Sequence, residues 1–222
     1  ELRRLEMKIL KQFNELPISG IRLDHFHGIE IDDFAHETAK LSMWLAEHQM
    51  NREFEEVMGR SVPSLPLKAQ VCVICRNAAR LDWVEHFPAI TGENYLIGNP
   101  PYVGSRKQKA HHKLDLASVL GHVRKYKSLD YVSIWFYRAA EFLRERNSLC
   151  AFVATKSVVQ GEQVSILWPT VLENDLEILF AHQPFKWQNN AKGNAGVTCV
   201  IVGFGLKSNR EKKIISNGRE QV

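Results

Sequence analysis

An apolar run ends abruptly at Asn99-Pro100-Pro101-Tyr102, in the stretch "YLIGNPPYVGSRKQ", and these residue types in this order can do chemistry. The residue before a proline is pushed into extended geometry, and each proline fixes its own φ and removes an N–H donor. Backbone carbonyls at such a corner are held in place without being consumed by local donors. Asn99 adds a side-chain oxygen, so the corner can offer two acceptors, that oxygen and the Pro100 carbonyl, to one NH2 group. Tyr102 supplies a flat face beside them. Two acceptors and a ring make a receptor for an exocyclic amine on a flat heterocycle, such as N6 of adenine. Holding both amine hydrogens draws the nitrogen lone pair out of conjugation and frees it for in-line attack on a methyl donor; positioned acceptors supply most of such a barrier reduction. In duplex DNA that amine is reached only by flipping the base, which costs a few kcal/mol. A Pro-Pro pair after a strand is also an ordinary loop start, so the neighbours of the corner must decide between the two readings.

Those neighbours are basic. Lys107, Lys109, His111, His112 and Lys113 follow the corner, Arg124, Lys125 and Lys127 lie further on, and Lys186 sits in a later apolar segment. Lys107, Lys109, Lys113 and Lys186 are candidates for neutralising DNA phosphates; a solvated surface needs the same residue types. Over the whole chain, 29 Lys and Arg against 25 Asp and Glu give a formal charge of +4, a mild bias that permits an anionic partner. His111 and His112 are adjacent, but no Asp, Glu or Cys joins them at ligand spacing. Cys72 and Cys75 have metal-like spacing with no second pair to complete a tetrad, and Cys150 and Cys199 lie singly in apolar runs. No metal is assigned, and the thiols read as buried strand residues.

With 222 residues and 45% hydrophobic content, the chain can bury a substantial core. It has no apolar signal segment and no run long enough to span a bilayer, and its four cysteines suit a reducing compartment. A cytoplasmic protein without a membrane partner is expected. The opening "ELRRLEMKILKQFNEL" is a helical pattern already under way, with no initiator Met and no cap before it, so the chain is expected to be the middle of a longer protein.

The elements that must position the corner alternate. "GIRLDHFHGIEID" reads as a strand, and "DDFAHETAKLSMWLAEHQMN" as a helix capped by Asp32 or Asp33. Gly59, Pro63 and Pro66 mark "EEVMGRSVPSLPL" as a loop. "AQVCVIC" and "NYLIG" read as short buried strands, and "SRKQKAHHK" as an aperiodic loop. "SLDYVSIWFYRAAEFLRER" is an apolar helix, "SLCAFVAT" a strand and "EQVSILWPTVLEN" a helix. "LEILFAHQPFKW" and "GVTCVIVGFGL" are strands separated only by the polar "QNNAKGNA". Alternation with near-continuous apolar strands predicts the α/β class, a mostly parallel sheet with an antiparallel pair at one edge. In such sheets ligands collect at the carboxyl ends of strands, where Asn99 lies.

The stretches "GIEIDDFAHETAKLSMWLAEHQMN", "RNAARLDW", "IGNPPYVG", "LDYVSIWFYRAAEFL", "FVATKSVVQGEQVSILWP" and "FAHQPFKWQNNAKGNAGVTCVIVGF", in this order, resemble the class I, S-adenosylmethionine-dependent N6-adenine DNA methyltransferases. More narrowly, they resemble the methyltransferase region of the fused type IIL (Mme-type) restriction-modification enzymes and their relatives in bacterial defence. The resemblance covers most of residues 1 to 206 and implies a Rossmann-like methyltransferase sheet there, with 207–222 as a linker or the start of another segment. It implies that Glu30 accepts the ribose hydroxyls of S-adenosylmethionine and Ile31 lines its adenine. It also implies that Asp82 accepts the cofactor's adenine amine with Trp83 packed nearby, that Asn99, Pro100, Pro101 and Tyr102 form the catalytic corner, and that Phe185 stacks on the other side of a flipped base. The family's first, central strand and its glycine-rich cofactor loop have no counterpart in the chain. An upstream segment, a nuclease domain and a domain reading the double-stranded DNA target are therefore expected as partners. The same corner also serves methylation of a protein glutamine amide or an RNA base amine, and a fold without its glycine loop could be an inactive nucleic-acid-binding module.

Overall fold

The computed structural model describes residues 1–13, 18–59, 71–88, 92–187 and 197–216 and the backbone of 219–221. The polar stretch 188–195 and the prolines at 63 and 66 lie outside the described residues. The chain divides into two compact units, Glu1–Ala78 and Ala79–Val222.

In the first unit, helix α1 (Leu2–Gln12) precedes a short 3-10 turn (Leu23–His25), strand β1 (His27–Glu30), helix α2 (Asp33–Met58) and strand β2 (Cys72–Cys75). β1 and β2 pair in parallel with Glu30 opposite Cys75, so both point their carboxyl ends the same way. Asp32 caps α2, its side chain accepting from the Ala35 N–H at 2.8 Å. Of the segment expected as one strand, 20–32, only His27–Glu30 near its end is a strand. α2 also runs seven residues beyond the expected helix, into the expected loop. It stops at Gly59, whose φ of 67° is the left-handed conformation that closes helices. α1 is tied to α2 by Arg3 on Asn51 (2.6 Å) and Arg4 on Glu53 (2.9 Å), and Phe54 is fully buried.

The second unit starts with the short helix α3 (Trp83–His86), then β3 (Asn94–Gly98), a 3-10 turn (Ser105–Lys107) and helix α4 (Ala110–Leu120). Another 3-10 turn (Tyr126–Ser128), helix α5 (Ser133–Glu145), strand β4 (Ser148–Thr155), a 3-10 turn (Lys156–Val159) and helix α6 (Glu162–Val171) follow. β5 (Leu176–Lys186), β6 (Thr198–Leu206), β7 (Lys213–Ser216) and β8 (Arg219–Gln221) complete it. The sheet order is β3-β4-β6-β5-β7-β8. β3 and β4 are parallel, as are β5 and β7, while β6 lies antiparallel between β4 and β5. The chain is thus α/β, with parallel pairs joined by antiparallel ones. The stretch expected as an aperiodic loop, 105–113, instead forms a turn and the start of α4. The cause is tertiary: Asp115, 2% exposed, takes Arg80 at 2.6 Å and the Tyr131 hydroxyl at 2.7 Å, which fixes the helix against its neighbours.

The core of this unit gathers on Phe136 of α5. Its ring meets Phe152 of β4 edge-on at 5.5 Å, Trp168 of α6 at 5.4 Å and Phe204 of β6 in a stack at 5.8 Å. Emptying such a position typically costs about 3–5 kcal/mol. Helix and strand are locked together at the point from which β4 and β6 run up to the corner.

Candidate active site

β3 delivers the corner. Gly98, its last residue, pairs with Phe152, so Asn99 leaves the sheet at the carboxyl end of a parallel pair. Pro100 is buried, Asn99 and Pro101 are exposed and Tyr102 is half-buried. The buried proline anchors the turn while the asparagine faces solvent. The Tyr102 hydroxyl accepts a long contact from the Cys199 thiol, 3.9 Å away. Burial and that thiol push the Tyr102 pKa up, and a hydrogen bond from the Asn99 side chain pulls against them. Contact of the Asn99 amide with this hydroxyl leaves the Asn99 oxygen available as an acceptor.

Phe185 arrives from β5. Its Cα partner across the sheet is Cys199, the residue whose thiol touches Tyr102. The β5–β6 register shifts between His182 and Phe185, and such a bulge re-aims the side chains beyond it. His182 meets the Phe185 ring edge-on at 5.2 Å. Asn99, Pro100, Tyr102 and Phe185 are thus brought to one end of the sheet, around a buried cysteine. The sequence marked Cys199 only as a buried thiol; its contact spans 97 residues of chain and depends on strand register, so no local pattern carries it.

The expected DNA-contacting lysines are exposed: Lys107 in the 3-10 turn, Lys109 at the start of α4, Lys113 within it and Lys186 at the end of β5. His112 is drawn inward. Its Nδ1 accepts from the Lys109 N–H at 3.1 Å, its ring lies 4.5 Å from that of Tyr131, and burial lowers its pKa.

The residues expected to hold a cofactor divide between the units. In the first, Glu30 ends β1 and turns one oxygen back onto the Ile31 and Asp32 N–H groups (2.8 and 3.2 Å), while its second oxygen has no hydrogen-bond partner among the described residues. Ile31 is 66% exposed. A carboxylate oxygen at the carboxyl end of a parallel strand, followed by an exposed apolar side chain, fits the ribose hydroxyls and flat base of a nucleoside. In the second, Asp82 caps α3 through one oxygen (Val84 N at 2.9 Å, Glu85 N at 3.1 Å), and Trp83 is buried. Both line a cavity of about 380 Å³ with Arg138, Glu141, Arg144 and Glu145. Arg138 is committed to Glu141 at 2.8 Å, and Arg144 to the Thr170 and Val171 carbonyls.

In the first unit Asp33, His36 and Cys75 place ligand-type atoms within 4.8 Å of one another. His36 Nε2 lies 3.0 Å from the Val73 carbonyl, which orients the ring, and Nδ1 lies 3.1 Å from a Glu37 carboxylate oxygen. Asp33 is exposed.

The family model described as the DNA-methyltransferase domain of MmeI matches residues 1–216. The chain belongs to this family. It is 47% identical over 233 aligned positions to DNA methyltransferase A of Bacillus subtilis (strain 168), an alignment covering 98% of this chain and 26% of that protein. A solved structure of the type IIL restriction-modification enzyme MmeI in complex with DNA matches 99% of this chain and 31% of that one, with a TM-score of 0.88 and 39% identity. The chain therefore spans about a quarter to a third of the length of these relatives. The MmeI-type methyltransferase fold expected from the sequence is the fold observed.

Proposed function

We propose that this chain is the catalytic part of a DNA methyltransferase of a restriction-modification system and acts on N6 of adenine. The observation carrying the reading is the convergence of Asn99, Tyr102 and Phe185 at one end of the sheet, two strands bringing a polar acceptor and two aromatic faces to one place. In this reading the Asn99 oxygen and the Pro100 carbonyl accept the two amine hydrogens of a flipped adenine. Tyr102 and Phe185 cover its faces, and each stacked base contributes about 1–3 kcal/mol against the cost of unstacking. The amine nitrogen is left with a localised lone pair for the methyl carbon; as the nitrogen–carbon bond forms, the donor's carbon–sulfur bond breaks to leave a neutral thioether, and one amine proton then passes to solvent. S-adenosylmethionine would supply the electrophilic methyl group; in the first unit Glu30 and Ile31 are the candidates for a ribose and an adenine face, and in the second Asp82 and Trp83 are separate candidates for an adenine amine. Lys107, Lys109, Lys113 and Lys186 neutralise phosphates around the flipped base. The glycine-rich loop, the target-reading part and any nuclease belong to the longer protein implied by the length of the relatives.

The test is transfer of label from methyl-labelled S-adenosylmethionine to duplex DNA by the full-length protein, with digestion to nucleosides to identify the product. N6-methyladenine that disappears in Asn99→Ala is the expected result, with a loss of roughly 10²–10³-fold or more, as when one preorganised hydrogen-bonding group is removed. Label recovered on another base, on RNA or on protein overturns the reading.

A further inference from the structure

We propose that Asp130 is a positioning residue that holds the amine-binding corner in register; this rests on the function proposed above. Asp130 lies just before α5 and is 7% exposed, yet none of its hydrogen bonds reaches Asn99 or Tyr102. It acts on the three residues that follow. Its Oδ1 accepts from the Ser105 N–H at 3.0 Å. Gly104 lies beside the same oxygen, within ordinary van der Waals reach: a Cβ there would sit 3.7 Å from it. The Val103 carbonyl accepts from the Tyr131 N–H at 3.0 Å and from the Gln108 amide at 3.4 Å, and that amide also reaches the Leu129 carbonyl at 2.9 Å. The chain leaving Tyr102 is thus fastened to the Leu129–Tyr131 segment at two successive points.

The second carboxylate oxygen closes a ring. Asp130 Oδ2 accepts from the Ser157 hydroxyl at 2.5 Å, and that hydroxyl lies 2.7 Å from the Thr155 hydroxyl. Thr155 is the last residue of β4, and its Cα partner on β6 is Cys199. Cys199 touches the Tyr102 hydroxyl and also faces Phe185. The circuit therefore runs from Tyr102 through Val103–Ser105, Asp130, Ser157, Thr155 and Cys199 back to Tyr102. It fixes the tyrosine from its backbone on one side and its hydroxyl on the other. The Asp130 N–H is itself held by Gln163 at 3.1 Å, whose amide donates to the Ser128 carbonyl at 2.7 Å.

A carboxylate in a buried position is costly unless each oxygen has donors. Here the donors come from the two segments that must be joined, and ionised acceptors make hydrogen bonds roughly twice as strong as neutral ones. The expense is explained by geometry. An acceptor pair that localises a lone pair works only when placed within about 0.5 Å, and a misplacement near 1 Å costs on the order of 100-fold in rate.

Three variants of the full-length protein test this: Asp130→Ala, Asp130→Asn and Ser157→Ala. Asn keeps an oxygen for the Ser105 N–H and an amide that the Ser157 hydroxyl can accept, so it preserves the ring without the charge. Hydrogen exchange of residues 99–108 is expected to quicken about tenfold or more in Asp130→Ala and to a smaller degree in Ser157→Ala. Asp130→Asn should stay close to wild type, with β4 and β6 protected throughout. In methyl transfer, Asp130→Ala should lower kcat about 100-fold with KM for DNA unchanged, and Asn should restore most of it. Unchanged exchange at 99–108 in Asp130→Ala and Ser157→Ala overturns the proposal. So does a rise in KM at unchanged kcat, or general loss of protection in Asp130→Ala while Ser157→Ala leaves the corner untouched. A wild-type protein that methylates no DNA, with the exchange pattern as expected, sinks the functional reading and leaves the clamp on the corner standing.

Discussion

Tyr102 carries two separable jobs, because its ring face and its hydroxyl are used differently. In the proposed function the face meets the flipped base, whereas the hydroxyl is turned to the protein, within 3.9 Å of the Cys199 thiol and beside Asn99. Tyr102→Phe is therefore expected to keep base binding within a few-fold of wild type while freeing the Asn99 amide to turn. Tyr102→Ala removes a stacking surface worth about 1–3 kcal/mol and should weaken binding of DNA carrying 2-aminopurine at the target roughly tenfold to a hundredfold. The fluorescence rise that reports the unstacked base makes the comparison. Equal behaviour of Phe and Ala would show that the ring does not meet the base. The tetrapeptide announced this site because prolines constrain locally. Cys199 and Asp130 were silent, since an isolated cysteine in a strand and an acid at the start of an apolar helix look the same whatever they touch.

Among the elements, β5 and β6 form the pair on which Phe185 depends. Gly203 of β6 stands opposite Phe180, whose ring lies over the place where a Cβ would go, at 2.1 Å. A methyl group there must push the ring or the strand, so Gly203→Ala is expected to cost about 1–3 kcal/mol, the usual range for overpacking, seen as a lower urea midpoint. An unchanged midpoint would mean that the Phe180 ring or β5 gives way at no cost, and that the β5–β6 pair is not tightly packed at this point. The same pair shows why some elements could be read in advance and others could not. Apolar runs such as Leu149–Ala154 and Cys199–Phe204 declare strands by composition alone. α4 did not, because its first turn is His111, His112 and Lys113 and its anchor is a buried acid, Asp115, satisfied by Arg80 and Tyr131 from elsewhere in the chain. The far end of α2 was misjudged for a different reason. Gly59, Pro63 and Pro66 together marked 55–67 as a loop, whereas the helix continues through Glu55–Met58 and stops only at Gly59 itself, in its left-handed conformation. The parallel character of β3 and β4 followed from the helix between them, and the antiparallel β5 and β6 from its absence.

For the whole molecule, titratable groups give the two units different pH limits. In Ala79–Val222, burial raises the Cys150 thiol and the Tyr102, Tyr131 and Tyr137 hydroxyls above their ordinary values, Tyr131 being held further by its bond to Asp115. The folded unit keeps these protons where the unfolded chain begins to release them, so their stabilising contribution is complete at neutral pH and is lost as pH rises through about 9 to 10 and beyond. In Glu1–Ala78 the sign reverses. Burial depresses the His27 pKa, so the unfolded chain binds the proton first, and the contribution present above pH about 6.5 is lost as pH falls below it. That unit also rests on a parallel strand pair, a marginal sheet for holding itself together. Urea titration with pulse thiol labelling can follow both units at once, because Cys72 and Cys75 lie in one and Cys150 and Cys199 in the other. The midpoint at Cys150 and Cys199 is expected to fall between pH 8 and pH 10.5, less steeply in Tyr131→Phe, while the midpoint at Cys72 and Cys75 falls between pH 7 and pH 5.5, less steeply in His27→Gln. Midpoints that move together in both directions, or that ignore the two substitutions, would refute this division of the pH response.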